Sequence, residues 1–303
     1  MNNNILDFLK VFPSNIIFHL ERYNIHNLEE VRIRVNKPVY IFESGIEKKI
    51  PYTSTLEDLK VIFTRMSNFS AYAFEENIRC GYITLKGGNR VGICGRCVVE
   101  NGKIRTIKDI SSINIRFAKE ALGCSDDVME HILEDKVVNN TIIISPPKCG
   151  KTTMLRDIAK NISNGFKDGL GRNVSLIDER NEIASCYMGI PQLDVGIRTD
   201  VLESCPKAQG IVMAVRSMAP EVIICDEIGS EEDLSSIIFA MNSGVKIITS
   251  IHGENLEDFY DKYIYKKSKE HSIFKKAIIL KNSVKKGVVD YIWDFSKNKK
   301  VYL

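Results

Sequence analysis

No apolar run in the chain approaches the ~20 residues needed to span a bilayer as a helix. The opening residues, Met1 to Asp7, have neither the basic region nor the apolar core of a signal peptide, so a protein made and kept in the cytoplasm is expected. Nor is there a concentrated basic stretch interleaved with aromatic residues, and the net charge of +3 is only mildly basic. On those grounds no specific nucleic-acid partner is expected. The eight cysteines, at 80, 94, 97, 124, 149, 186, 205 and 225, are scattered rather than arranged as a disulfide framework, and read as reduced thiols. Cys94 and Cys97 have the spacing of half a zinc site, but no second pair and no nearby histidine completes it.

What is present is the composition of an ordinary soluble protein, 44% hydrophobic and 27% charged, in 303 residues, long enough for two domains. Residues 1–120 read as an α+β domain with an antiparallel sheet. An amphipathic pattern runs through Ile5, Phe8, Leu9, Val11 and Phe12, and Val31, Ile33 and Val35 alternate with charged residues as in a half-buried strand. Helical spacing follows from Leu56 to Met66, then a second helix is expected over Phe69 to Phe74. From Gly81 the period becomes two, with a hairpin turn at Gly87-Gly88-Asn89, another at Asn101-Gly102, and a further strand over Ile113 to Phe117. An amphipathic helix within 121–139, with Ser125-Asp126-Asp127 as its N-cap, is expected to link this domain to one over 140–303.

From residue 140 strands and helices alternate. Strands are expected at 141–145, 174–178, 221–226, 245–250, 277–280 and 288–293, and helices near 151–162, 206–218, 231–243 and 254–266. This is the pattern of an α/β fold, a parallel sheet with helices on both faces, whose ligands bind at the carboxyl ends of the strands.

The stretch 141–155 carries the chemistry. Ile142, Ile143 and Ile144 make a buried strand that breaks at Ser145-Pro146-Pro147 before a helix opens at Lys151. The loop Ser145, Pro146, Pro147, Lys148, Cys149, Gly150, Lys151, Thr152 matches G-x-x-x-x-G-K-[ST] except at its first position, where serine stands for glycine. Backbone N–H groups, the helix dipole and Lys151 suit the β/γ-phosphates of ATP, Thr152 suits Mg²⁺, and Thr153 continues the first turn. Serine fits the first position if its φ stays negative.

Acids close the expected strands downstream. Asp226 is placed to hold Mg²⁺ and Glu227 to polarise the attacking water, while Asp178-Glu179 is a second pair able to carry the general base. His252, expected in a loop two residues past a strand end, is a candidate contact to the γ-phosphate or the acids, and Arg216 a candidate cation near phosphate. The lysines at 266, 267, 269, 275, 276, 281, 285 and 286 read as a solvated face, with weak attraction to an anionic membrane as the sharper reading.

Residues 110–116, 198–210, 216–229 and His252-Gly253 together resemble the stage III sporulation protein AA family of endospore-forming bacteria, over about Glu29 to Gly253. That family is similar to the P-loop ATPases of type II and type IV secretion and pilus systems. The resemblance implies an N-terminal domain followed by a RecA-like ATPase domain, with acidic, Walker B and histidine motifs at Asp178-Glu179, Asp226-Glu227 and His252. It implies Mg²⁺-dependent ATP hydrolysis in the mother-cell cytoplasm, peripheral to the membrane, energising membrane-embedded sporulation channel proteins. It also implies a homo-oligomer, a hexameric ring. There are two departures from the secretion ATPases: Ser145, and Gly253-Glu254 where those have Thr-Asn. In such a ring an arginine of the N-terminal domain is expected to complete a neighbour's site, with Arg105 and Arg116 ahead of Arg90 and Arg96. A nucleotide-gated scaffold and a RecA-like nucleic-acid translocase are the competing readings.

Overall fold

The computed structural model describes residues 9–66, 82–118, 123–167, 169–283 and 286–303. The chain divides into two compact units, Met1–Lys119 and Glu120–Leu303. The helix expected over Phe69 to Phe74, the first residues of the amphipathic pattern at Ile5 and Phe8, and the side chains of Cys80 and Lys285 lie outside the described residues.

Among the described residues of the first unit, helices α1 (Ser14–Leu20) and α2 (Leu56–Met66) accompany six strands: β1 (Leu28–Arg34), β2 (Pro38–Glu43), β3 (Ile46–Thr53), β4 (Tyr82–Thr84), β5 (Arg90–Glu100) and β6 (Lys103–Arg116). They form one antiparallel sheet in the order β3-β2-β1-β6-β5-β4. Period-two alternation buries Val31, Ile33, Val39, Ile41, Val91, Ile93, Ile113 and Ile115 on one face. Three hairpins turn on pairs of left-handed residues, Ser44-Gly45 (φ 51° and 78°), Gly87-Gly88 (φ 86° and 77°) and Asn101-Gly102 (φ 52° and 74°). The second and third are the turns expected from the sequence; the first is not. β3 carries Glu47, Lys48 and Lys49 in succession, which hides its alternation. The strands expected around Ile104 and Ile113 are one 14-residue strand, β6, paired with β5 across a bulge at Cys94/Arg96.

The second unit begins with α3 (Asp126–Ile132) and a small hairpin of β7 (Leu133–Glu134) and β8 (Val137–Val138). The helix expected within 121–139 is therefore cut short, because Asp135 and Lys136 turn the chain with φ of 50° and 63°. Ser125 precedes α3 but gives it no side-chain cap; its hydroxyl donates instead to Asp157 at 2.8 Å. There follow β9 (Thr141–Ser145), α4 (Lys151–Asn164), β10 (Val174–Asp178), β11 (Thr199–Glu203), α5 (Lys207–Ser217), β12 (Val222–Glu227), α6 (Glu231–Asn242) and β13 (Lys246–His252). The chain ends with α7 (Leu256–Tyr260), α8 (Tyr263–Glu270), β14 (Lys276–Leu280), β15 (Val289–Asp294) and β16 (Lys299–Val301). The single helix expected over 254–266 is thus two, broken at Lys262, whose backbone is extended.

These strands make a mixed eight-stranded sheet, β11-β10-β12-β13-β9-β14-β15-β16, parallel from β11 to β14 and antiparallel at β15 and β16. Its two faces carry separate cores. Ile143, Leu176, Ile224 and Ile248 pack with Val128, Met129, Leu155 and Ile158 from α3 and α4. Their strand neighbours Ile142, Ile144, Ile177, Ile223 and Ile247 pack with Ile211, Ile237 and Phe259 from α5, α6 and α7. Continuous apolar strands such as Val222 to Cys225 are what a sheet covered on both faces requires. Lys276 departs from the solvated face expected of the lysine-rich end. It is buried at the start of β14, with its Nζ 2.7 Å from Asp294 and 2.6 Å from Glu134. That hydrogen bonding holds the Asp294 carboxyl down at about 2 even though burial works the other way.

Candidate functional site

The carboxyl ends of β9, β10, β12 and β13 bring together Ser145, Asp178, Asp226, Glu227 and His252. At the end of β9, Ser145 is fully buried, donates its hydroxyl to the Pro146 carbonyl at 2.8 Å and has no left-handed φ. The left-handed positions come later, at Lys148 (φ 63°) and Gly150 (φ 101°). A Cβ on Gly150 would lie 2.4 Å from the Gly287 nitrogen, so glycine is required there by space as well as by φ. The loop is braced by the turn before β15: Gly287 N–H donates to the Cys149 carbonyl at 2.8 Å, and Lys286 donates to the Lys148 carbonyl at 2.5 Å. Lys286 was expected on a solvated face; it is exposed, but tied to this loop.

Lys151 opens α4, so its ammonium stands beside backbone N–H groups that have no intrahelical acceptor. Its Nζ donates to Glu227 Oε2 at 3.3 Å and lies 2.7 Å from His252 Nδ1. His252 Nε2 is 2.9 Å from the same Glu227 oxygen. Protonation of His252 at Nε2 satisfies both contacts, with Nδ1 accepting from Lys151 and Nε2–H donating to Glu227. Burial, with the Arg180 charge adding to it, lowers the Lys151 pKa, and the Glu227 carboxylate resists that. His252 is the last residue of β13 rather than a loop residue, because the strand continues past Ser250 to pair with β9, His252 opposite Ser145.

The two acidic pairs, alike in sequence, differ in structure. Asp178 is fully buried and accepts from the N–H groups of Glu182 (2.8 Å), Ile183 (2.9 Å) and Ala184 (2.8 Å). Its carboxylate is occupied in folding the loop after β10, and burial raises its pKa against those three donors. Glu179 is exposed at the rim. Asp226 is half-buried, with Oδ1 2.9 Å from Lys207 Nζ but without a well-aligned hydrogen bond; burial raises its pKa in spite of that cation. Thr249 holds the strand end from the next strand, its hydroxyl donating to the Asp226 carbonyl at 2.8 Å.

Arg216 is not brought to this cluster. α5 runs antiparallel to the strands, so its first residue, Lys207, stands at their carboxyl ends. Arg216 sits nine residues further on, roughly 13 Å away along the axis, on the exposed groove between α5 and α6. The cation that α5 does bring to the acids is Lys207, which is not among the residues expected from the sequence. Pro206 as N-cap followed by a lysine at the first helical position was a usable signal, since the helix dipole disfavours a cation there.

These residues fit a polyphosphate and its metal. A left-handed glycine, a helix N-terminus and a half-buried lysine make an anion cradle. Thr152 in the first turn of α4 and the unaligned Oδ1 of Asp226 are hard oxygen donors of the kind Mg²⁺ takes. Among the described residues no three His, Cys, Asp or Glu side chains cluster as a metal cage. Cys94 and Cys97 are free and exposed on β5. Among the described residues no helix is long and apolar enough to cross a membrane.

Residues 3–300 match the family model described as sporulation stage III, protein AA. The stage III sporulation protein AA of Bacillus subtilis (strain 168) is 40% identical over 296 residues, covering 98% of this chain and 96% of that protein. Among solved structures, the Legionella pneumophila ATPase DotB is similar at a TM-score of 0.59 and 16% identity, covering 94% of this chain and 81% of its own. The pilus retraction motor PilT, solved with bound ADP, is similar at a TM-score of 0.57 and 15% identity, covering 88% and 76%. At those identities the likeness is one of fold.

Proposed function

Since the chain belongs to the sporulation stage III protein AA family, we propose that it is a Mg²⁺-dependent ATPase with a RecA-like ATPase domain, energising a membrane-associated, secretion-like channel complex during endospore formation. The observation that carries this reading is the convergence of Lys151, Glu227 and His252 within 3.3 Å of one another, at the N-terminus of α4 and the ends of β12 and β13. The likeness of fold to secretion and pilus ATPases supports it.

In this reading Ser145 to Thr153 wrap the phosphates and Lys151 reaches the β/γ-phosphates. Glu227 is the residue that orients and polarises the attacking water, with Glu179 a rim carboxylate close by. His252 holds the Glu227 carboxylate by its Nε2–H and exchanges Lys151 between that carboxylate and phosphate. Mg²⁺, when bound, neutralises charge developing on the phosphate oxygens, and Thr152 and Asp226 are the residues that would hold it. Asp178 acts as the organiser of the loop carrying Glu179, which leaves Glu227 the better-placed base. The working location is the cytoplasm of the mother cell, peripheral to the membrane, with membrane-embedded channel proteins as partners.

The active form is a closed ring, six subunits on the family's pattern, in which an arginine of one chain completes the site of the next. Arg105 and Arg116 are the candidates, although each is already paired on its own sheet, with Glu100 at 3.1 Å and Glu30 at 3.2 Å. An arginine supplied in trans contributes ~10³-fold or more to phosphoryl transfer. The test follows phosphate release per chain and mass by light scattering as protein is diluted. Activity that falls as the ring dissociates, and that Arg105→Ala or Arg116→Ala lowers, supports this; a monomer active at a constant rate per chain contradicts the shared site. Parallel assays with single-stranded DNA, RNA or anionic liposomes separate a channel motor from a nucleic-acid translocase.

A further inference from the structure

At the acidic strand ends stands a buried cation to which the hydrolysis scheme gives no task. Lys207 is 5% exposed, the first residue of α5, and its ammonium reaches the ends of two adjacent strands. It lies 2.9 Å from Asp226 Oδ1 and 3.3 Å from Glu179 Oε2, and donates to the Glu227 backbone carbonyl. Its reach depends on how closely α5 lies on the sheet. Gly210, one turn further on, has no side chain to hold the helix off: a Cβ there would come within 2.8 Å of Ile177 Cγ2 on β10. A lysine so placed works against the dipole of its own helix and loses its hydration, so α5 gains nothing from it locally.

We infer that Lys207 is a positioning residue and resident countercharge of the acidic strand ends: it fixes the Asp226-Glu227 backbone against Glu179 and neutralises Asp226, so that a divalent cation enters only together with nucleotide. The inference rests on the reading of Asp226 as metal-holding and Glu227 as water-orienting. Two properties follow from the contacts. The ammonium ties the Glu227 carbonyl down, which leaves the Glu227 side chain turned to Lys151 and His252 on the other side of the strand end. The positive charge beside Asp226 Oδ1 repels a free metal ion, a repulsion that the negative charge of a bound polyphosphate offsets.

The experiment uses the full chain with Lys207→Met, which keeps most of the side-chain volume without the charge, and Lys207→Arg, which keeps the charge. Mn²⁺ binding to nucleotide-free protein is read by electron paramagnetic resonance, with calorimetric ATP affinity and steady-state kcat and KM measured alongside. Lys207→Met is expected to bind Mn²⁺ roughly tenfold or more tighter than wild type without nucleotide. Its kcat should fall by roughly tenfold or more with KM little changed. Lys207→Arg should exclude Mn²⁺ as the wild type does and recover part of kcat. If a folded Lys207→Met matches wild type in both Mn²⁺ binding and kcat, the inference is overturned. If Lys207→Met does not fold, Lys207→Arg decides: Mn²⁺ uptake as tight as the nucleotide-loaded wild type overturns the inference, and continued exclusion supports it. A wild-type chain that hydrolyses no ATP overturns the functional reading instead, while the Mn²⁺ comparison still tests the countercharge.

Discussion

The two units handle charge differently. On the sheet of the first, Arg96 with Asp109 (2.9 Å, 71% and 68% exposed) and Arg105 with Glu100 (3.1 Å, 58% exposed each) pair in water, and the half-buried carboxylates Glu30 and Glu43 (13% and 11% exposed) are met by cations that stay open to solvent, Arg116 (61%) and Lys48 (39%). In the second, Lys151, Lys207, Asp178 and Asp226 are withdrawn from water and meet at the carboxyl ends of parallel strands. An exposed pair costs little to hold and contributes little, whereas each buried charge needs a partner of defined geometry. Burial alone does not mark chemistry, however. Lys276, Asp294 and Glu134 are matched to one another at the opposite end of the same sheet, at the start of β14. What separates the two buried sets is that the group around Lys151 stands at a helix N-terminus, beside a left-handed glycine and N–H groups that have no intrahelical acceptor.

The largest effect is expected at Lys151. Lys151→Ala removes the cation at the N-terminus of α4, and ATP affinity in calorimetry is expected to fall by about 100-fold or more; undiminished affinity would mean that the loop is not the phosphate site. A smaller effect sharpens the contrast between the units. Asp178→Asn leaves the amide to face three N–H donors that the carboxylate now accepts, and should destabilise the chain by about 1–3 kcal/mol in denaturant unfolding. Arg96→Ala on the water-facing sheet should change it by less than about 1 kcal/mol. Equal effects from the two substitutions would erase the distinction between charge that is buried and charge that is merely abundant.

How much of this was legible in the sequence depends on whether a residue's role is set by its neighbours in the chain or by what folds against it. The run Ile142 to Ile144 followed by Gly150-Lys151-Thr152 gives strand, loop and helix from local order alone, and the acids after Val222 to Cys225 fall where a parallel strand must end. Asp178 and Asp226 look alike in sequence because both close apolar strands. They diverge because the chain after Asp178 folds back to offer three N–H groups, while the chain after Asp226 leads into α6. Arg216 and Lys207 lie on one helix, and only the direction of α5 against the sheet tells which of them meets the acids. His252 belongs to β13 because β9 extends far enough to pair with it, which no local period announces. The hairpin at Ser44-Gly45 was hidden for a different reason: consecutive charged residues on an edge strand carry no alternation to read.

On the proposed function the end of β12 beside Lys151 hydrolyses ATP, with Glu227 orienting the water. The decisive measurement is phosphate release under saturating Mg²⁺ and ATP on the wild-type chain and on Glu227→Gln, with ATP affinity followed in parallel. The amide keeps the shape and the nucleotide while losing the charge, so affinity should be retained and turnover should fall by about 10²–10⁴-fold. Glu227→Gln turning over at the wild-type rate, or a wild-type chain that binds ATP and releases no phosphate at any concentration, would contradict it.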